Sequence, residues 1–136
     1  MTKLIIRYDP DPRDAVGKLW FDVTAEQFSG SAFFWSDLSE VPRLVSDLRN
    51  FPLQEPAIQR WGYNSLEGSD LVLSLGIAQV GRNGSLKAMI ELADPFDLSR
   101  RLTTSLTTDY ASVERLSTEL AAMAVQRVGE AVLDGS

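Results

Sequence analysis

Along the chain the apolar positions switch between a period of two and a period of three to four, and each switch marks an element. "KLIIRY" (3–8) predicts a short strand, followed by "DPDPRD", where the prolines forbid a helix and favour a turn. "GKLWFDVT" (17–24) alternates: Leu19, Phe21 and Val23 share one face, and Lys18, Trp20, Asp22 and Thr24 the other. "AEQFSG" turns the chain into an aromatic strand at 31–35. There Phe33, Phe34 and Trp35 are adjacent, and neighbours in a strand point to opposite faces, so both faces receive a large ring.

The period then lengthens. Val41, Leu44, Val45, Leu48 and Phe51 form one helical stripe, with Ser36, Asp37 and Ser39 as candidate caps, Pro42 in the first turn and Pro52 as the stop. A structureless connection over 52–70 would be unusually long, which favours a short strand within "AIQRWGY" (57–63). "DLVLSLGIAQVGRNGSLKAMIELAD" predicts a hairpin with Asn83-Gly84 as its two-residue turn. In that register Ile77 faces Ile90, Leu75 faces Leu92, Gly76 faces Glu91 and Val80 faces Lys87. "DPFD" (94–97) is a further turn, and "RRLTTSLTTD" (100–109) a strand with Leu102 and Leu106 inward. Asp109 caps a last helix striped by Val113, Leu116, Leu120, Met123 and Ala124 and running to about Val132.

The resulting order is β-β-β-α, a short strand, then β-β-β-α. This predicts a single α+β domain over 1–136: one mostly antiparallel sheet of about six strands, with two helices on one face. The opposite face would carry Trp20, Asp22, Lys87, Met89, Glu91, Arg101 and Thr103. Trp and Arg among hydrogen-bonding side chains have the composition of binding hot spots, so Trp20, Asp22, Lys87, Glu91, Arg101 and Thr103 are the candidate partner-binding residues. Cover by another segment of the chain or by a second copy would serve that face equally.

Composition narrows the chemistry. The net charge is −6, and the 13 bases form no cluster, which disfavours nucleic acid and suits a basic protein partner. The chain contains no histidine and no cysteine, which removes His-based triads, His metal sites, thiol nucleophiles, zinc–thiolate sites and disulfides. Carboxylates remain for acid–base work, but no spacing singles out a pair, and no catalytic residue is assigned. Counted from Asp9, the acidic turn has Arg13, Asp14 and Trp20 where a calcium loop needs an acid or amide, a glycine and a glutamate, so no metal is expected. The glycines fit neither a dinucleotide nor a phosphate-loop spacing, and no cofactor is expected. There is no signal-peptide pattern or long apolar run, and the last helix mixes Glu114, Arg115, Glu119 and Arg127 on its polar side. A cytoplasmic protein without membrane attachment is the expectation.

"LWFDVTAEQFSGSAFFW" leading into "SDLSEVPRLVSDLRNF", then a hairpin, a strand and an amphipathic helix, resembles the small bacterial immunity proteins of the WapI type. The corresponding positions are Trp35, Asp37-Leu38, and Leu71, Leu73 and Leu75, within a likeness that covers most of 17–125. "PLQEPAIQRWGYN" departs from the pattern in its length and in Trp61. The resemblance implies a non-enzymatic cytoplasmic protein that binds and blocks a cognate toxin, and it carries over no catalytic residues. An acidic inhibitor would suit a basic nuclease toxin. The other classes consistent with the residues are a self-associating structural or adaptor domain, such as a homodimer burying the Trp20 face, and a small-ligand binder or carboxylate enzyme. The last would need a pocket between the aromatic strand and "RWGY".

Overall fold

The computed structural model describes residues 2–136 and contains two helices and eight strands in two antiparallel sheets of four. The first sheet begins as a meander of β1 (Lys3–Asp9), β2 (Gly17–Ala25) and β3 (Phe28–Ser36). Helix α1 (Val41–Leu48) leads into the second sheet, a meander of β4 (Ala57–Gly62), β5 (Leu71–Gln79), β6 (Ser85–Asp94) and β7 (Asp97–Asp109). Helix α2 (Tyr110–Gln126) then returns the chain to the first sheet, where β8 (Gly129–Asp134) pairs with β1. The orders are β3-β2-β1-β8 and β4-β5-β6-β7. The α+β class and the antiparallel pairing agree with the sequence; the single six-stranded sheet does not.

Period-two alternation in both sheets feeds one core. Leu4, Ile6, Leu19, Phe21, Ala131 and Leu133 from the first sheet meet Leu73, Leu75, Ile77, Ala88, Ile90 and Leu92 from the second in one buried cluster. The sheets touch where β3 crosses β5 and β6 and where β2 meets β7. Gly30 permits this approach: a Cβ there would lie 2.8 Å from Leu102 Cδ2 and 3.3 Å from Leu92 Cδ1. The helices pack on each other, with α1 against β4 and α2 against β8 and β7. Val41, Leu44, Val45 and Leu48 of α1 and Val113, Leu116, Leu120 and Met123 of α2 complete the same core.

Three local expectations are corrected. Helix α1 stops at Leu48, and Phe51 lies outside it, 76% exposed and against Tyr110. The β5–β6 hairpin is joined by Val80–Gly84 rather than by two residues, with Gly81 and Gly84 at positive φ, so pairing slides by two positions. Ile77 therefore faces Ala88, Leu75 faces Ile90, Gly76 faces Met89 and Lys87 faces Ala78, with every side chain still on its expected face. Helix α2 ends at Gln126 because Arg127 adopts φ 57° and Gly129 φ 115°, which turns the chain out of the helix into β8. The strand at 57–63 and the Asp109 cap are found as expected; Asp109 Oδ1 accepts from the Ser112 N–H at 2.8 Å.

Candidate protein-binding face

The outward side of the first sheet is built by the strand register. Arg7, Trp20 and Phe33 stand side by side across β1, β2 and β3, with Lys18 beside Trp35 at one end and Asp22 beside Ser31 at the other. The inward neighbours of these residues occupy the core, which also takes in the apolar stripes of both helices. Phe34 points inward, onto Tyr63 at 5.1 Å, whereas Phe33 and Trp35 point outward. The aromatic strand thus serves both faces.

The outward rings form a connected cluster. Phe33 lies 4.8 Å from Trp20, 5.4 Å from Trp35 and 5.9 Å from Phe96, and Trp35 lies 5.8 Å from Phe96. Phe96 belongs to the two-residue β6–β7 turn, so the second sheet contributes a ring to the first sheet's outer face. Neighbouring side chains enclose Phe33, which is 8% exposed, while Trp35 remains 37% and Phe96 75% exposed. Two cations sit on the rings: the Arg7 guanidinium 4.6 Å from the Trp20 centroid and the Lys18 ammonium 4.8 Å from that of Phe33. Asp22 fixes Arg7, accepting from its Nε at 2.8 Å, and also accepts from the Ser31 hydroxyl.

The predicted partner-binding residues divide between the two sheets. Trp20 and Asp22 belong to the aromatic face; Lys87, Glu91, Arg101 and Thr103 lie on the outward side of the second sheet, on β6 and β7. There Arg101 donates to Glu91 Oε1 at 3.0 Å, Glu91 pairs with Thr103, and Met89 is 48% exposed. Arg7 and Phe96 were absent from the predicted set, and the alternation left open whether Phe34 or the Phe33–Trp35 pair faces outward; it is the pair. The available signal for Phe96 is "DPFD", an apolar residue in a tight turn between acids, where no core contact is offered locally.

Other concavities have a different character. An open groove of about 1020 Å³ between α1 and β4 is lined by Arg43, Asp47, Asn50, Phe51, Glu55 and Ile58, among others. Trp61, which a ligand pocket beside the aromatic strand would need, is 5% exposed, packs on Phe21 at 5.5 Å and donates its indole N–H to Glu40. Asp37 and Asp97 are held below the usual carboxylate value, chiefly by the hydroxyl groups of Ser39 and Ser99. A lowered pKa keeps both ionised at neutral pH, the opposite of what a general acid requires. Among the described residues, no three acidic side chains converge as a metal site would need.

Comparison with protein-family models, curated proteins and solved structures found no match for this chain. Among the described residues, no helix is long and apolar enough to cross a membrane.

Proposed function

We propose that this chain is a non-enzymatic protein-binding protein of the immunity type, acting in the cytoplasm to neutralise a cognate toxin through the outer face of its first sheet. The observation that carries this is the aromatic cluster of Trp20, Phe33, Trp35 and Phe96 on that face, in which Trp35 and Phe96 remain exposed around the enclosed Phe33. Contiguous exposed apolar surface rimmed by polar groups marks interaction sites. Fixed rings lose little entropy on docking, and Trp with Arg is typical of interface centres. The resemblance in strand and helix pattern supplies the kind of partner.

The test is co-expression with the product of the neighbouring reading frame, which this reading requires to be a toxin. The wild-type protein forms a stable complex and restores growth. Trp35→Ser with Phe96→Ser weakens binding by at least about tenfold, the loss of one or two hot-spot side chains. Lys87→Ala, on the other sheet, leaves binding unchanged. Failure of the wild-type protein either to bind or to protect removes the proposal.

A second reading is self-association through the same face, favoured by the 75% exposure of Phe96 beside Trp35. Light scattering decides it: a monomer at high concentration leaves the face to a different partner.

A further inference from the structure

The aromatic face ends at the β1–β2 turn. Between that turn and Trp35 lies a small cleft of about 240 Å³, lined by Asp9, Pro10, Asp11, Val16, Lys18 and Trp35, among others. Its size suits one side chain rather than a metabolite, since ligand pockets run from about 300 Å³ upward. One wall is an indole that Phe33, Phe34 and Phe96 hold edge-on, at 5.4, 5.4 and 5.8 Å, with 37% of the residue still exposed. The other wall carries two carboxylates. Asp11 accepts the Arg13 backbone N–H at 2.9 Å, and neither Asp9 nor Asp11 has an ion-pair partner among the described residues. Lys18 is the one base in the lining, and its ammonium is engaged by the Phe33 ring at 4.8 Å. Two negative charges and one positive charge leave the cleft acidic. Asp94 and Asp97 flank Phe96 at the far side of the cluster, and one base, Arg100, pairs with both at 3.9 and 3.3 Å. Around the face the acids Asp9, Asp11, Asp22, Asp94 and Asp97 outnumber the bases Arg7, Lys18 and Arg100, in keeping with the net charge of −6.

An indole beside carboxylates selects a cation, and a planar guanidinium stacks on a ring while its N–H groups reach carboxylates at the side. We infer that the partner docks on this face through a basic surface and seats an arginine against Trp35, within reach of Asp9 and Asp11. This rests on the outer face of the first sheet being the docking surface. It adds the chemistry of the partner and the point at which that chemistry is recognised.

The probe is argininamide, with the neutral isostere citrullinamide as control, added to the full-length protein while the three indole N–H signals are followed by NMR. Argininamide is expected to shift the Trp35 signal in a saturable way, with citrullinamide at least about tenfold weaker, because only the cation is attracted. Asp9→Asn with Asp11→Asn should weaken the argininamide response by about fivefold or more; asparagine keeps the acceptor for the Arg13 N–H, and an unmoved Trp61 signal reports an intact core. Equal shifts from both probes, an equal response at Trp20 and Trp61, or indifference to the double Asn variant would each overturn the inference. The outcome also separates from that of the proposed function. If Trp35→Ser with Phe96→Ser abolishes toxin binding while argininamide leaves Trp35 unmoved, the face docks a partner without an arginine in the cleft. If argininamide binds as described and the toxin does not, the cation site stands and the toxin reading falls.

Discussion

At the scale of single residues, a few polar side chains fix positions that hydrophobic patterning leaves free. Tyr8 is buried on the inner face of β1, and its hydroxyl donates to the Ser36 carbonyl and accepts the Gly17 N–H, both at 2.8 Å. Arg127 reaches the same place from the end of α2, donating to the Asp37 carbonyl at 2.9 Å and to that of Ala15. Four segments far apart in sequence thus share one polar node, which satisfies backbone groups that burial would otherwise leave costly. Glu40 does similar work for α1. It accepts from the Ser36 hydroxyl at 2.5 Å and from the Trp61 indole, so the helix start is tied to β4 although Glu40 itself makes no side-chain cap. Ser99 offers a sharper test. Its hydroxyl donates to Asp97 Oδ1 at 2.6 Å and its N–H to the same oxygen at 3.3 Å, and these bonds lower the Asp97 pKa, helped by Arg100. A depressed folded-state pKa contributes stability above the ordinary carboxylate value, and that contribution is lost as pH falls through the folded value. Ser99→Ala removes the larger donor, so the Asp97 pKa should rise toward its ordinary value in an NMR titration of the carboxyl carbon. An unmoved midpoint would mean that the hydroxyl does not hold this carboxylate.

At the scale of elements, seven of the eight strands and the start of α2 were legible; β8, the helix ends and the cap of α1, which is Glu40 rather than Ser36, Asp37 or Ser39, were not. Alternation placed Leu19, Phe21 and Val23 inside and Trp20 and Asp22 outside, because a two-residue period is an unambiguous local signal. Asn83-Gly84 misled: the turn signal is real in chemistry, but Gly81 supplies an earlier positive φ and widens the connection. Parity survived because the slip was two positions and not one. Helix α2 was overrun because "VQRVGEAVLD" keeps apolar spacing compatible with a helix and with a strand; the left-handed Arg127 decides between them, and a non-glycine residue in that conformation leaves little local trace. The cap at the other end of α2 is the testable element feature. Asp109→Ala deletes the bond to the Ser112 N–H, and thermal or urea unfolding should show a loss of about 1 kcal/mol. Asp109→Asn, which retains an oxygen acceptor, should stay close to wild type. Equal losses in the two variants would assign the effect to the strand end, where Asp109 pairs with Ser85, and not to the cap.

At the scale of the whole molecule, the candidate face depends on facts of assembly. Trp20 was identifiable because alternation alone sends it outward. Phe96 was not, because its place beside Phe33 and Trp35 arises only when a turn of the second sheet reaches the first. For the same reason Lys87, Glu91, Arg101 and Thr103 seemed to share a surface with Trp20: strands of two sheets alternate alike, and no local signal states which sheet a strand joins. Closure of the fold follows the same logic. β8 comes last in the chain yet pairs with β1, the first strand, setting Leu133 beside Leu4 and Ala131 beside Ile6, all 0–1% exposed. The first sheet is therefore complete only when the second sheet and both helices have been made, and the two sheets share one core. Such an arrangement should unfold as a unit. Leu133→Ala, at the edge strand of the first sheet, should cost about 2–5 kcal/mol through lost burial and the cavity left behind. Trp61 reports on the second sheet, since it sits on β4 and touches Phe21 across the core. In urea, its fluorescence, read with Trp20 and Trp35 replaced by Phe, should move to a lower midpoint in the Leu133→Ala variant together with far-ultraviolet circular dichroism, and by the same amount. If the dichroism shifts while the Trp61 transition stays in place, the two sheets melt separately and the shared core does not couple them.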